Sequence, residues 1–199
     1  MVDKMNDSER YILESLSQLQ VITSPIKQEI IDVIQARGQC SVSDIAEELG
    51  RPADGLYYHI KALLKEQLVV EVGTTKKAGQ VETIYSTSQS GSLMEAGYDR
   101  SDPEKIKAMN KIVSSMMKIA VKDFSAGLTL GAAIVEGDNR NLSATRIKSR
   151  LTNDEVRKVN RLLAELTAIF NHQRRDNSEN LYSIAWILAP IEAKPKRRV

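Results

Sequence analysis

Between Gly50 and Val70 the chain reads Gly-Arg-Pro-Ala-Asp-Gly-Leu-Tyr-Tyr-His-Ile-Lys-Ala-Leu-Leu-Lys-Glu-Gln-Leu-Val-Val. Leu56, Ile60, Leu63 and Leu64 recur at the i, i+4, i+7, i+8 spacing of a helix docked on a core. Asp54, Gly55, Tyr58, Lys61 and Lys65 fall on the opposite face, and Tyr57 lies between the two. The chemistry this set can do is recognition. Ammonium groups attract phosphates, while phenol, carboxylate and amide groups can meet base edges, so a small surface of this composition suits a DNA major groove. His59 lies beside the apolar stripe, where a structural hydrogen bond competes with contact to DNA.

The elements that must position this helix are legible on both sides. Upstream, Ser41-Val-Ser-Asp-Ile-Ala-Glu-Glu-Leu-Gly50 opens on a natural N-cap, with Asp44 three residues later as a capping-box acid. Ile45, Ala46 and Leu49 form its buried stripe, and Gly50 stands where a left-handed C-cap residue is wanted. A short helix, a tight turn and a second helix make a helix-turn-helix. Ser24-Pro25 begins an earlier helix by the cap-then-proline rule; Ile26, Ile30, Ile31 and Ile34 face inward and Arg37-Gly38 ends it. Ile12, Leu16 and Leu19 predict an opening helix from about Ser8 to Val21. Downstream, Leu68–Val72 and Gln80–Tyr85 are β-rich runs joined by Gly73-Thr-Thr-Lys-Lys-Ala-Gly79. This is a hairpin with Thr75, Lys76 and Lys77 near its tip, a wing able to reach a phosphate row.

Residues 9 to 86 resemble the winged-helix domain of ArsR-type bacterial transcription regulators. The resemblance is carried by Thr23-Ser-Pro-Ile-Lys-Gln-Glu-Ile-Ile, Ser41-Val-Ser-Asp-Ile-Ala-Glu-Glu-Leu-Gly, Leu56-Tyr-Tyr-His-Ile-Lys-Ala-Leu, and Leu68-Val-Val before a Gly-bounded wing. It implies a dimeric, sequence-specific DNA binder that usually represses, its affinity changed by an effector. Metal-sensing members carry paired cysteines or His/Asp/Glu clusters; this chain has one cysteine, Cys40, and two distant histidines, His59 and His172. Tetrahedral zinc is poorly served by that set, so no metal and no cofactor are expected. The C-terminal half is the second departure, since minimal members lack it.

Charge tempers the DNA reading. Residues 1 to 90 hold 9 Lys/Arg against 13 Asp/Glu, and residues 91 to 199 hold 19 against 13. From Arg51 to Gln80, however, five basic residues (Arg51, Lys61, Lys65, Lys76, Lys77) face three acidic ones (Asp54, Glu66, Glu71), so the presumed DNA edge is mildly positive. No apolar run approaches the ~18 to 20 residues that span a bilayer, and the polar start is unlike a signal peptide, so a cytoplasmic protein without membrane contact is expected. One cysteine excludes an internal disulfide framework; Cys40 precedes a helix N-terminus, which can lower a thiol pKa and favour redox sensitivity, but a buried or inert thiol is the better reading. There is no Gly-x-Ser-x-Gly, His-Glu-x-x-His, P-loop or dinucleotide fingerprint, and His172 with Asp176 and Glu179 reads as an ordinary polar helix end, so no enzyme is expected.

After a Ser- and Gly-containing linker, 86–101, Asp102-Pro103-Glu104 opens a helix in which Ile106, Met109, Val113, Met116 and Ala120 form a seam. That seam suits either a helix pair or packing within its own domain. Leu128–Val135 fits a continuation of the helix or a strand, and 141–150 reads as extended. Thr152-Asn-Asp-Glu155 is a capping box leading a helix that buries Val156, Val159, Leu163, Leu166 and Phe170. Leu181–Ala189 is apolar on both faces, as a strand buried in a sheet or interface would be, with Trp186 in the core; Lys194-Pro-Lys-Arg-Arg198 is a basic tail.

The expected architecture is therefore mainly α (α+β): a winged helix-turn-helix DNA-binding domain over 1–88, then a small α+β domain with long helices over 102–199 for dimerisation and a possible effector. The expected partners are double-stranded DNA, a second copy of the chain, and an unidentified small-molecule effector. The expected DNA-contact set is Ser41, Ser43, Arg51, Asp54, Gly55, Tyr57, Tyr58, His59, Lys61, Lys65, Thr75, Lys76 and Lys77. A winged helix used for protein–protein contact without duplex binding is the alternative, and an RNA-binding winged helix a third class.

Overall fold

The computed structural model describes residues 10–13, 15–77, 79–88, 93–97, 99–170 and 180–192. The chain start, the His172/Asp176/Glu179 group and the basic tail fall outside the described residues.

The first two elements depart from the sequence reading. In place of one opening helix there is a short strand β1 (Arg10–Leu13), then a single-capped helix α1 (Leu16–Val21), with Ser15 accepting from the amide of Gln18 at 3.1 Å. β1 pairs in parallel with β5 (Leu93–Ala96), which lies within the stretch read as a linker. The pairing joins segments some eighty residues apart, so nothing local to either segment signals it.

The helix-turn-helix forms as read. Pro25 opens α2 (Pro25–Arg37), its fixed φ already helical, and Gly38 ends it at φ 75°. Strand β2 (Cys40–Ser41) leads into α3 (Val42–Leu49), where Ser41 and Asp44 complete a reciprocal capping box. Gly50, at φ 61°, closes α3 with the two reversed hydrogen bonds of a Schellman turn: Gly50 donates to Glu47 at 3.2 Å and Arg51 to Ala46 at 2.9 Å. Helix α4 (Asp54–Lys65) buries Leu56, Ile60 and Leu63 against Ile30, Ile34 and Ile45, all nearly without solvent contact. A second Schellman turn follows it with Gln67 in the left-handed position at φ 55°.

The wing strands run farther than expected. β3 (Val69–Lys77) and β4 (Gln80–Thr87) pair antiparallel up to Lys77↔Gln80, and β4 is the centre of a three-stranded sheet in the order β2–β4–β3. The sequence expected a loop over Gly73–Gly79; instead a bulge between Glu71 and Gly73 carries β3 through the glycine. Thr75, Lys76 and Lys77 therefore stand on paired backbone.

Helix α5 (Pro103–Gly127) opens as read, Asp102 accepting from the amides of Glu104 and Lys105. Its buried face is Ala108 and Ser115, flanked by Met109 and Ile112, while Ile106 of the expected seam is exposed. That face packs on α1 and α2, where Ser115 donates to the carbonyl of Thr23 at 2.6 Å and Gln28 reaches the carbonyl of Ile112 at 3.4 Å. Residues 128–135 are turns and irregular chain, neither extending α5 nor making a strand. Helix α6 (Asn153–Phe170) has its Thr152–Glu155 capping box, but buries none of its residues; Val156, Val159, Leu163 and Leu166 are half-buried and Phe170 is exposed. Residues 180–192 form no strand, and Trp186 is 45% exposed, not a core residue. The apolar pattern was real, but a pattern states that a face wants a partner and not that the same chain supplies one. Mixed α+β is thus the observed class, with the described core concentrated in the N-terminal half and the first half of α5.

Candidate nucleic-acid interface

Three elements carry the expected residues: the start of α3, which meets the wing through side-chain contacts, the wing itself, and the outer face of α4. Because Leu56, Ile60 and Leu63 pin α4 to the core, the remaining positions of its turn cycle point away. Asp54, Gly55, Lys61 and Lys65 are exposed, Tyr57 is 47% exposed and Tyr58 is 75% exposed. The Tyr58 ring meets the His59 ring edge-on, centroids 5.6 Å apart, which props the imidazole against the helix.

His59 is half-buried, and its Nδ1 is buried without a hydrogen-bond partner among the described residues. Burial, with the charges of Lys27 and Arg51 adding to it, pushes the imidazole below its ordinary value. His59 is therefore the neutral, inward member of the expected set. Lys27 is a neighbour that sequence reading passed over, since nothing in the local pattern brings the first turn of α2 beside α4.

Arg51, in the turn between α3 and α4, is exposed yet tethered. Its guanidinium donates to Glu29 at 3.3 Å, and Lys122 of α5 donates to the other oxygen of the same carboxylate at 2.6 Å. Glu29 is itself buried, so one carboxylate of α2 links the helix-turn-helix turn to α5.

At the start of α3, Ser41 is fully buried, and its hydroxyl belongs to the capping box, accepting from the Asp44 amide and donating to the Asp44 carboxylate at 2.9 Å. That places Ser41 behind the surface as a positioning residue. Ser43 is half-buried; its hydroxyl lies 2.9 Å from that of Ser41 and donates to Glu82 of β4 at 2.5 Å. Burial works to raise the Asp44 carboxyl, but the Ser41 amide, the Lys77 ammonium and the Ser41 hydroxyl outweigh it and bring it down to about 2. Lys77 donates to Asp44 at 2.9 Å and lies 3.9 Å from Glu47. The hydroxyls of Ser41 and Ser43 hold the Glu82 carboxyl below its ordinary value. Thr75 and Glu82 are cross-strand partners, and side chains alternate along a strand, so Thr75, Lys77 and Glu82 share one sheet face while Lys76 points to the other. Glu82 escaped the sequence reading because only the strand register reveals what it opposes.

Cys40 is buried, and burial pushes its thiol up to about 12, the inert state expected of it. Among the described residues no three His, Cys, Asp or Glu side chains group to hold a metal ion, and no helix is long and apolar enough to cross a membrane.

A family described as a helix-turn-helix domain matches residues 22–72, from the turn before α2 to the first residues of β3, about a quarter of the chain. No curated protein matches the chain. Among solved structures it is similar to the multiple antibiotic-resistance repressor of Listeria monocytogenes 4b F2365, at 14% identity over 79% of this chain and 82% of that one. The TM-score is 0.27, too loose an overlay to carry argument. Residues 22–72 are a helix-turn-helix domain, and β3 and β4 supply the wing beside it.

Proposed function

We propose that this chain is a sequence-specific, DNA-binding transcription regulator of ArsR-like type, not an enzyme, acting in the cytoplasm as a homodimeric repressor that does not sense metal. The observation that carries the reading is α4: its apolar side is anchored in the core and its outer side offers Asp54, Gly55, Tyr57, Tyr58, Lys61 and Lys65 together. Such a helix, held at a fixed angle by a helix-turn-helix, is built to lie in a major groove. Ser43, Arg51, Thr75, Lys76 and Lys77 flank it as groups for the phosphate rows. The apolar side chains left exposed along α6 and 181–191 support a second copy as their cover, with residues 1–88 as the DNA-binding unit and 102–199 as the dimerising one. Two-fold symmetry then spaces the half-sites about 10 base pairs apart, or a multiple. A small-molecule effector would act through the C-terminal half.

The test is fluorescence anisotropy against the duplex upstream of the chain's own gene, with a scrambled duplex of equal length, at low and near-physiological salt. Preference for the native sequence that survives the salt is the expected result. Lys61→Ala should weaken binding and lower the salt dependence by about one released ion per subunit. A folded Lys61→Ala protein that binds as tightly as the wild type would falsify this docking. The protein–protein reading is favoured by one observation, the pairing of Lys77 with acids of its own chain, and it predicts no duplex binding at physiological salt.

A further inference from the structure

The wing and α3 meet through two polar contacts that use the same kinds of group a DNA backbone would need. On the wing's inner face Lys77 is taken by Asp44 at 2.9 Å and lies within 3.9 Å of Glu47. Beside it the Glu82 carboxylate accepts from the Ser43 hydroxyl at 2.5 Å. Glu82 is a half-buried anion seated at the first turn of an eight-residue helix, on a hydroxyl that otherwise meets only the Ser41 hydroxyl at 2.9 Å. A phosphate oxygen asks for the same donors, an ammonium and a hydroxyl near a positive helix end. Lys76, on the opposite sheet face, has no ion-pair partner among the described residues.

We propose that the inner face of the wing is an autoinhibitory latch, in which Glu82 occupies Ser43 and Asp44 occupies Lys77 in the free protein, and a backbone phosphate must displace both acids to dock. The latch rests on the DNA-binding reading above. Releasing Lys77 bares Asp44, which stays behind because it caps α3, so docking meets a second repulsion after the first is relieved. Phosphates carry no sequence information. The latch therefore lowers affinity for every duplex by the same factor, and a good operator contact at α4 is what overcomes it.

Four proteins test this by anisotropy on the native and scrambled duplexes: wild type, Glu82→Ala, Ser43→Ala, and the double variant. Glu71→Ala, which removes a charge from the same sheet and leaves the Ser43 contact in place, controls for net charge. Glu82→Ala is expected to bind both duplexes about threefold to fivefold tighter, the net worth of one hydrogen bond after exchange with water, and to exceed Glu71→Ala. Ser43→Ala is expected to change little in the wild type and to remove most of the gain in the Glu82→Ala background. A second readout needs no DNA: the Glu82 carboxyl, followed by NMR, should titrate at a higher pH once Ser43 is Ala, with the Ser41 hydroxyl retaining part of the lowering.

Duplex binding in which the two substitutions act additively overturns the latch and leaves the proposed function standing. So does a Glu82 titration indifferent to Ser43. Failure of all four proteins to bind either duplex overturns the proposed function and the latch with it. Binding by Glu82→Ala alone supports a latch strong enough to suppress docking in the wild type.

Discussion

Stripping both cations from Glu29 should damage the fold more than removing the carboxylate itself. The Glu29 side chain is 8% exposed, while its partners Arg51 and Lys122 are 45% and 59% exposed. Glu29→Gln keeps shape and an acceptor for Lys122, and it releases two cations that are already largely hydrated. The loss is that of a surface pair, about 1 kcal/mol. Arg51→Ala with Lys122→Ala leaves a buried carboxylate with no cation at all. Breaking a buried pair from one side costs about 3–5 kcal/mol, and the low end applies here because water can follow the departed side chains. Each cation removed singly leaves the other in place, so each single variant should cost about 1 kcal/mol and the double variant more than their sum. Urea unfolding followed by circular dichroism measures this. With a slope of roughly 2 kcal/mol/M, the midpoint of the double variant should fall about 1 M below that of Glu29→Gln. Equal midpoints, or single costs that simply add, would refute the reasoning and reduce Glu29 to an ordinary surface acid.

Three further outcomes follow from the caps. Gln67 holds a left-handed conformation that strains a side chain, so Gln67→Gly should stabilise the protein by about 0.5–1 kcal/mol in the same urea experiment. Ser41→Ala removes a fully buried N-cap and the hydroxyl half of its box, and should destabilise by about 1–2 kcal/mol. Asp44 is held at about 2 against an ordinary 3.8, so its contribution is whole above pH 4 and disappears as the pH falls toward 2; Asp44→Asn should flatten the acid limb of stability across that window by roughly 1–2 kcal/mol after allowance for solvent screening.

The helix-turn-helix was readable because its signals are local and its partners are near. Ser41, Asp44 and Gly50 announce a helix within ten residues, and the stripes of α2, α3 and α4 face one shared core. The outer face of α4 followed at once, since a pinned inner face fixes the rest. β1 was unreadable for the opposite reason: four residues of strand exist only because β5 lies alongside. Within the wing hairpin the sequence makes Gly73–Gly79 a loop because both glycines look like punctuation, yet a bulge absorbs the first and only the second turns the chain, at φ 82°. The polar ties of the site were also hidden. Glu82 is 39 residues from Ser43, and Lys122 is 93 from Glu29, so composition showed the charges without showing which pairs meet. In α6 the periodicity correctly marks an apolar stripe, but the described residues put no core beneath it.

On the DNA-binding reading, the two ties divide the labour of the helix-turn-helix between its ends. At the turn, Glu29 fixes Arg51 from behind through a buried carboxylate, which orders a guanidinium that still has free donors for a phosphate. At the start of α3, half-buried Asp44 and Glu82 hold a largely exposed lysine and a half-buried hydroxyl at the domain's edge, where water and phosphate can compete for them. A buried tie preorganises; an exposed tie competes. The same charge types thus produce opposite effects on docking according to burial alone. Replacing Arg51 should therefore slow and weaken DNA binding, whereas replacing Glu82 should strengthen it, although each removes a single charge from one edge of the same domain.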